Sequence, residues 1–192
     1  MFAYSSGSHL SLIALGLFML NIYAWGGSLY FIGTHALSSA GIFIMIGLIY
    51  KRAGSVQIDD LGGIASVAPR FAFFFTFFAL SIAGLPGTGG FVAELLIIIG
   101  AFKVHFWIGV LTATTMLTAM LYIFWMLQRT IFGTQQGSTE NFTDLNGREM
   151  AMLVPIMVLL LVTGLVPSLF VPLFEPQITL LLESALMQIG AQ

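Results

Sequence analysis

One acidic residue, Glu94, stands within a long apolar stretch, four residues after the segment Gly84-Leu85-Pro86-Gly87-Thr88-Gly89-Gly90. A charged side chain at the centre of a bilayer costs on the order of 2.5 to 3.5 kcal/mol, so this carboxyl group must stay protonated, pair with a partner or face water. At the start of a second half-helix it also meets the positive end of the helix dipole. We predict that Glu94 takes up and releases protons; the alternative is a structural cap of that half-helix.

The segment before Glu94 interrupts the apolar helix. Pro86 lacks a backbone donor, and glycine disfavours helix, so backbone polar groups are freed at membrane depth. Such a break persists only where protein buries it or where it lines a wet cavity, and in transporters it marks an ion or substrate site near the midplane. The predicted break residues are Gly84, Pro86, Gly87, Gly89 and Gly90.

Two histidines stand within other apolar stretches. His35 shares a helix face with Ser38 and Ser39, at spacings of three and four residues. A proton relay and a structural hydrogen bond to a neighbouring helix are equally compatible with that pattern. His9 follows Ser8 near the start of the chain, where the residues alone favour the structural role. The stripe formed by Thr115, Thr118 and Tyr122 is more typical of helix packing than of a pathway.

The composition excludes several classes of protein. With 58% hydrophobic and 7% charged residues, the chain cannot be a soluble domain. The absence of cysteine excludes disulfides, a cysteine-ligated iron–sulfur cluster and a cysteine zinc site. Six Lys and Arg residues form no basic patch, so no nucleic-acid partner is expected. No catalytic group of residues and no metal site is predicted.

The apolar stretches predict an all-α integral membrane bundle of five transmembrane helices, the third discontinuous at the Gly/Pro break. Lys and Arg collect between residues 51–70 and 129–149, while the other face has only Lys103. The positive-inside rule then places the N-terminus inside and the C-terminus outside. The predicted bundle covers residues 1–173, with spans at about 3–25, 27–50, 71–102, 106–128 and 150–172.

The two ends of the chain lead to further expectations. Residues 174–192 are predicted to form an interfacial tail, because the apolar stretch Ile178 to Ile189 is only twelve residues long and contains Glu183. The first span begins almost at Met1, which suggests that the chain is cut from something longer.

Four blocks of sequence resemble one known family. They are Ala3-Tyr4-Ser5-Ser6-Gly7-Ser8-His9, Thr34 to Ala40, Gly62-Gly63 and Gly84 to Glu94. They are similar to the antiporter-like proton-conducting membrane proteins, and among these to the C-terminal part of the M (chain 4) subunits of respiratory complex I. The block ending at Glu94 is the most specific, since related subunits tend to carry lysine at that position. Ala93 departs from the glycine usual in the family.

The resemblance implies roles for three residues. Glu94 would be the terminal protonatable residue of the second half-channel, and His35 and His9 would lie along the central hydrophilic axis. Ser38, Ser39 and Thr88 would position water. The family's first half-channel would lie before Met1, so this chain alone would not form a complete proton path.

The function expected on this basis is that of an antiporter-like subunit of a proton-pumping NADH–quinone oxidoreductase in a bacterial plasma membrane or another energy-coupling membrane. The chain would bind no cofactor itself; NADH, FMN, iron–sulfur clusters and quinone would belong to partner subunits of a complex I-like assembly. The alternatives are a subunit of a multisubunit cation/proton antiporter or of a membrane-bound hydrogenase-type complex, and a truncated fragment that conducts nothing.

Overall fold

The computed structural model describes residues 1–140 and 142–190, apart from the side chains of residues 175, 183 and 185–190. Across this range the regular structure is helical, without a strand, which confirms the predicted all-α class. Asn141, in a predicted loop, and residues 191 and 192, at the end of the predicted tail, lie outside the described residues. The helices are α1 (Phe2–Phe18), α2 (Ile22–Ala53), α3 (Ile64–Val67), α4 (Pro69–Ile82), α5 (Gly89–Val104), α6 (Phe106–Thr130), α7 (Gly147–Leu165) and α8 (Glu175–Gly190).

Among the described helices, three are long and apolar enough to cross a membrane: α2, α6 and α7. Helices α1 and α4 are apolar but shorter, at 17 and 14 residues. Helix α7 ends at Leu165, before the predicted limit at Pro172, and short 3-10 turns at Pro167–Leu169 and Val171–Leu173 follow it. Each of these 3-10 turns has a proline among its first two residues. Because proline lacks a backbone donor, it disfavours continuation of the α-helix.

The boundary between the first two helices differs from the predicted one at Trp25 to Gly27. Helix α2 already begins at Ile22, because the side chain of Asn21 caps it by accepting a hydrogen bond from the amide of Ala24, 3.0 Å away. Gly27 lies inside α2, where α5 approaches so closely that a Cβ atom would lie 2.8 Å from the carbonyl oxygen of Ala93. This glycine therefore serves helix packing inside α2 and is not its first residue, as the predicted span of residues 27–50 has it.

Helix α2 lies at the centre of the bundle and contacts α1, α4, α5 and α7. The buried side chains of α4 include four phenylalanines, and three of them are fully buried: Phe71, Phe75 and Phe78. Gly41 of α2 leaves the space that the Phe78 ring fills. This close packing of aromatic rings around Gly41 holds α4 against α2. It thereby fixes the position of α4, the helix that precedes α5.

The basic residues gather at one end of the bundle, which we call the basic end. Arg52, at the end of α2, reaches the start of α7, where its Nη2 atom lies 2.6 Å from Glu149 Oε2. Asp144 accepts a hydrogen bond of 2.8 Å from the backbone amide of Phe71 in the first turn of α4. These contacts join the end of α2 to the starts of α4 and α7. Lys103 lies in the last turn of α5, at the opposite end of the bundle. The basic end carries Lys51, Arg52, Arg70, Arg129 and Arg148.

Replacing Arg52 with methionine is expected to lower the free energy of unfolding by about 2 kcal/mol, because it leaves the largely buried Glu149 carboxylate without its charged donor. Denaturant titration of the detergent-solubilised protein measures this loss. Arg129→Met is the matched control: its ion pair with Asp59 is exposed, and the expected loss is below about 1 kcal/mol. Adding Glu149→Gln to Arg52→Met should recover part of the loss, and an unchanged or larger loss would contradict the explanation.

Candidate functional site

Helices α4 and α5 are separated by residues 83–88. Gly84 and Gly87 have φ angles of 80° and 94°, a left-handed conformation that glycine adopts without steric cost. The amide of Leu85 donates to the carbonyl of Leu80, 3.0 Å away, which satisfies a carbonyl at the end of α4. Thr88 is fully buried, and its hydroxyl donates to the carbonyl of Leu85 at 2.8 Å. The segment therefore satisfies part of its own backbone by tight turns.

Helices α2 and α7 pack directly against this segment. A Cβ atom on Gly164 of α7 would overlap the carbonyl of Gly87, and one on Gly89 would overlap Thr163 and Thr34. Tyr30 of α2 donates a hydrogen bond of 2.5 Å to the carbonyl of Thr163, which holds α2 to α7 beside the segment. Residues 83–88 are thus enclosed in part by protein: Ala83, Gly84 and Thr88 are buried, whereas Pro86 is exposed.

Glu94 is buried, with 3% of its surface exposed, on the side of α5 that faces α1. Its Oε1 atom lies 3.8 Å from Nε2 of His9. Its Oε2 atom has no hydrogen-bond partner among the described residues and lies beside Gly84, where a Cβ atom would be 2.9 Å away. The N-cap of α5 is Thr88, so the alternative role of Glu94 as the helix cap is wrong.

His9 and His35 extend the site from α5 across α1 to α2. Their ring centroids are 5.1 Å apart in an edge-to-face arrangement, and Phe31 packs against both rings. Nε2 of His35 lies 3.3 Å from the hydroxyl oxygen of Ser39. Glu94, His9, His35 and Ser39 thus form a continuous series, which we call the polar row.

The other predicted residues play parts outside the polar row. Ser38 donates to the carbonyl of His35 in its own helix, at 3.1 Å, and Thr88 donates within the turn. Pro86 is exposed, whereas Gly90 is buried against the carbonyl of Ser81. These residues shape the backbone around the row, and their hydroxyl groups are already used by local carbonyls.

Sequence reasoning missed the contact of Tyr122 with Ser5. The two hydroxyl oxygens lie 2.6 Å apart, although the residues are 117 positions apart in the chain. The sequence pattern predicts a role in helix packing for the stripe that contains Tyr122. Its threonines do bond to carbonyls of their own helix, but Tyr122 reaches α1. The spacing of Ser5 and His9, which puts both on one face of α1, was the signal available.

His9 is the side chain near the Glu94 carboxyl group that could exchange a proton with it. Among the described residues, no Lys or Arg lies within 4.0 Å of this carboxyl group, and the one group within that distance that can become positively charged is His9. A proton on Glu94 leaves both groups neutral, and its transfer to His9 gives a carboxylate beside an imidazolium. Described residues also include no group of three or more His, Asp or Glu that could hold a metal ion.

The apolar helices are those of an integral membrane protein. Residues 1–120 match the family described as NADH:quinone oxidoreductase/Mrp antiporter, TM, and the chain belongs to that family. It is 34% identical over 182 residues to NADH-ubiquinone oxidoreductase chain 4 of Arabidopsis thaliana, and 31% identical over 189 residues to NADH-quinone oxidoreductase subunit M of Rhodobacter capsulatus. These alignments cover 94% and 98% of this chain and 37% of each relative.

A solved structure has the same fold. A chain of respiratory complex I from Thermus thermophilus, with bound NADH, superposes with a TM-score of 0.85 at 30% identity, covering 93% of this chain and 38% of that one. The chain thus spans somewhat more than a third of the length of the relatives it matches. The predicted resemblance to the M (chain 4) subunits is confirmed.

Proposed function

We propose that this chain is an antiporter-like membrane subunit of a proton-pumping NADH–quinone oxidoreductase, and that the polar row carries protons within it. The observation that carries the proposal is the 3.8 Å approach of the buried Glu94 carboxyl group to His9 beside a helix break. Named relatives that include an NADH-quinone oxidoreductase subunit support the coupling to quinone reduction. NADH, FMN, iron–sulfur clusters and quinone would be bound by partner subunits.

In this proposal Glu94 stores the proton and the histidines relay it. His9 accepts a proton from Glu94 at Nε2, or returns one to it, across the 3.8 Å gap. His35 exchanges protons with His9 and passes them to Ser39, which is half-buried one helical turn further along α2. Histidine suits this role because both of its ring nitrogens can bind and release a proton. The hydroxyl oxygens of Ser38 and Thr88 donate to local carbonyls but can still accept a hydrogen bond, so water held by them and by Ser39 would complete the transfers.

We also propose that the chain crosses the membrane five times, with α4 and α5 end to end as the third crossing. The gathering of five of the six Lys and Arg residues at the basic end supports a cytoplasmic position for that end, the N-terminus inside and the C-terminus outside. Helix α8 would lie in the far interface as a tail. The membrane is a bacterial plasma membrane or another energy-coupling membrane, and other membrane subunits of a complex I-like assembly are the partners.

A cation/proton antiporter subunit is the second candidate, because the matching family includes Mrp antiporters and a carboxyl group at a helix break also suits sodium. Vesicles containing the assembled complex separate the two. We expect NADH-driven proton uptake that a protonophore abolishes and that does not change when potassium replaces sodium. Sodium uptake that requires Glu94 would contradict the first candidate and support the second.

A further inference from the structure

The hydrogen bond between Ser5 and Tyr122 joins α1 to α6 beside the polar row. Its hydroxyl oxygens are 2.6 Å apart, and either can donate. Ser5 is buried and stands four residues before His9, which places it about 6 Å nearer to the basic end along α1. Residues four positions apart share a helix face. The hydroxyl pair therefore lies one helical turn from His9, on the side away from the α5 C-terminus.

A cavity of about 270 Å³ lies about one helical turn from this hydroxyl pair, toward the basic end. Phe2 and Met126, about one turn beyond Ser5 and Tyr122, line it, and it reaches Val56 in the loop after α2 at the basic end. This volume has room for several water molecules. Its lining is largely apolar, and apolar cavities hold water only transiently. Thr130 also lines the cavity, with its hydroxyl group donated to the carbonyl of Met126, and the hydroxyl pair lies about one turn further into the bundle.

His9 can connect the hydroxyl pair to Glu94 because its two ring nitrogens have different surroundings. Nε2 faces the Glu94 carboxyl group at 3.8 Å. Nδ1 is buried and has no hydrogen-bond partner among the described residues. A buried nitrogen without a partner is costly unless water or a transient donor satisfies it. One water between Ser5 and Nδ1 would supply that partner and close the connection.

We infer that Ser5 and Tyr122 form a hydroxyl relay that carries protons from water in this cavity to His9 and Glu94. Each hydroxyl group accepts a proton from the cavity side as it gives its own proton onward, so both are unchanged after each passage. His9 gains a proton at Nδ1 as it loses one from Nε2 to the Glu94 carboxylate, and tautomerisation of the ring through water then returns the proton to Nε2 and frees Nδ1 for the next passage. The inference rests on the proposed function and adds a supply of protons to Glu94 that is separate from His35 and Ser39.

The test measures the initial rate of NADH-driven proton uptake per assembled complex in membrane vesicles. Tyr122→Phe and Ser5→Ala are each expected to lower this rate about tenfold, because each removes one hydroxyl group and leaves the packing almost unchanged. The double variant should be no slower than either single variant, since a relay broken once cannot be broken again. Ser5→Thr keeps a hydroxyl group and should retain most of the rate.

Tyr4→Phe is the matched control, since Tyr4 is adjacent to Ser5 but 88% exposed, and its rate should equal that of the wild type. A hydrogen bond that only holds α1 to α6 would change the amount or stability of the complex and not the rate per complex. Wild-type rates in Tyr122→Phe and Ser5→Ala, with loss in Glu94→Gln, would overturn the relay and leave the proposed function standing. Wild-type rates in all three variants would overturn the proposed function itself.

Discussion

Replacing Glu94 with glutamine is expected to lower NADH-driven proton uptake by the assembled complex at least about tenfold. The amide has the same shape as the carboxyl group but cannot release a proton, so His9 loses its exchange partner at 3.8 Å. Removal of a group that can be charged in an apolar setting should also leave the fold intact or slightly more stable. The measurement is the initial rate of proton uptake by vesicles, together with the amount of assembled complex.

The matched control for this substitution is Glu140→Gln, which makes the same chemical change at an exposed position in the loop after α6. It should pump at the wild-type rate. Glu94→Asp keeps the carboxyl group and shortens its reach, so we expect an intermediate rate. Pumping by Glu94→Gln at the wild-type rate, in a complex that contains the variant chain, would rule out the role assigned to Glu94.

Replacing Gly164 with alanine is expected to disturb the helix break most strongly among the single glycine substitutions. A Cβ atom there would overlap the backbone carbonyl of Gly87, and a backbone atom cannot rotate out of the way. Either α7 or residues 83–88 must move, at a cost of about 1–3 kcal/mol. Because Glu94 lies in α5 six residues after this segment, its position relative to His9 should shift, and proton uptake should fall together with thermal stability.

Gly47→Ala provides the comparison, since this helical glycine has nothing within 4 Å of an added Cβ atom. That variant should be as stable as the wild type or slightly more stable, because alanine favours helix. If Gly164→Ala leaves both stability and proton uptake unchanged, the close packing of α7 on Gly87 does not hold the break. If stability falls but pumping per complex does not, the geometry of the break is not coupled to Glu94.

The sequence predicted the chemistry of the site better than its connections. Composition and periodic apolar stretches were enough for an all-helical membrane protein, and one carboxyl group after a Gly/Pro segment was enough to select Glu94. The role of His9 could not be decided from its own surroundings in the chain. The pairing with Glu94 depends on how α1 packs against α5, and neither helix encodes that contact by itself.

Local patterns also failed where one residue type serves two purposes. Gly27 is the predicted first residue of the second span, yet it lies within α2, where α5 approaches closely. Helix α2 starts after Asn21, a favourable N-cap residue between the apolar residues Leu20 and Ile22. Tyr122 shares a helix face with threonines that donate to carbonyls of their own helix. The pattern of that face therefore does not indicate that Tyr122 has a partner on α1. The roles of Gly27 and Tyr122 thus depend on tertiary contacts, whereas the start of α2 depends on the local cap at Asn21.

The central claim is that the carboxyl group of Glu94 changes its protonation state while the complex works. Infrared difference spectroscopy of the assembled complex, between its resting state and turnover with NADH and quinone, measures this directly through carboxyl stretching bands. We predict a carboxyl difference band in the wild type that persists in Glu140→Gln and is absent from Glu94→Gln. An identical set of carboxyl bands in the wild type and Glu94→Gln would contradict the claim.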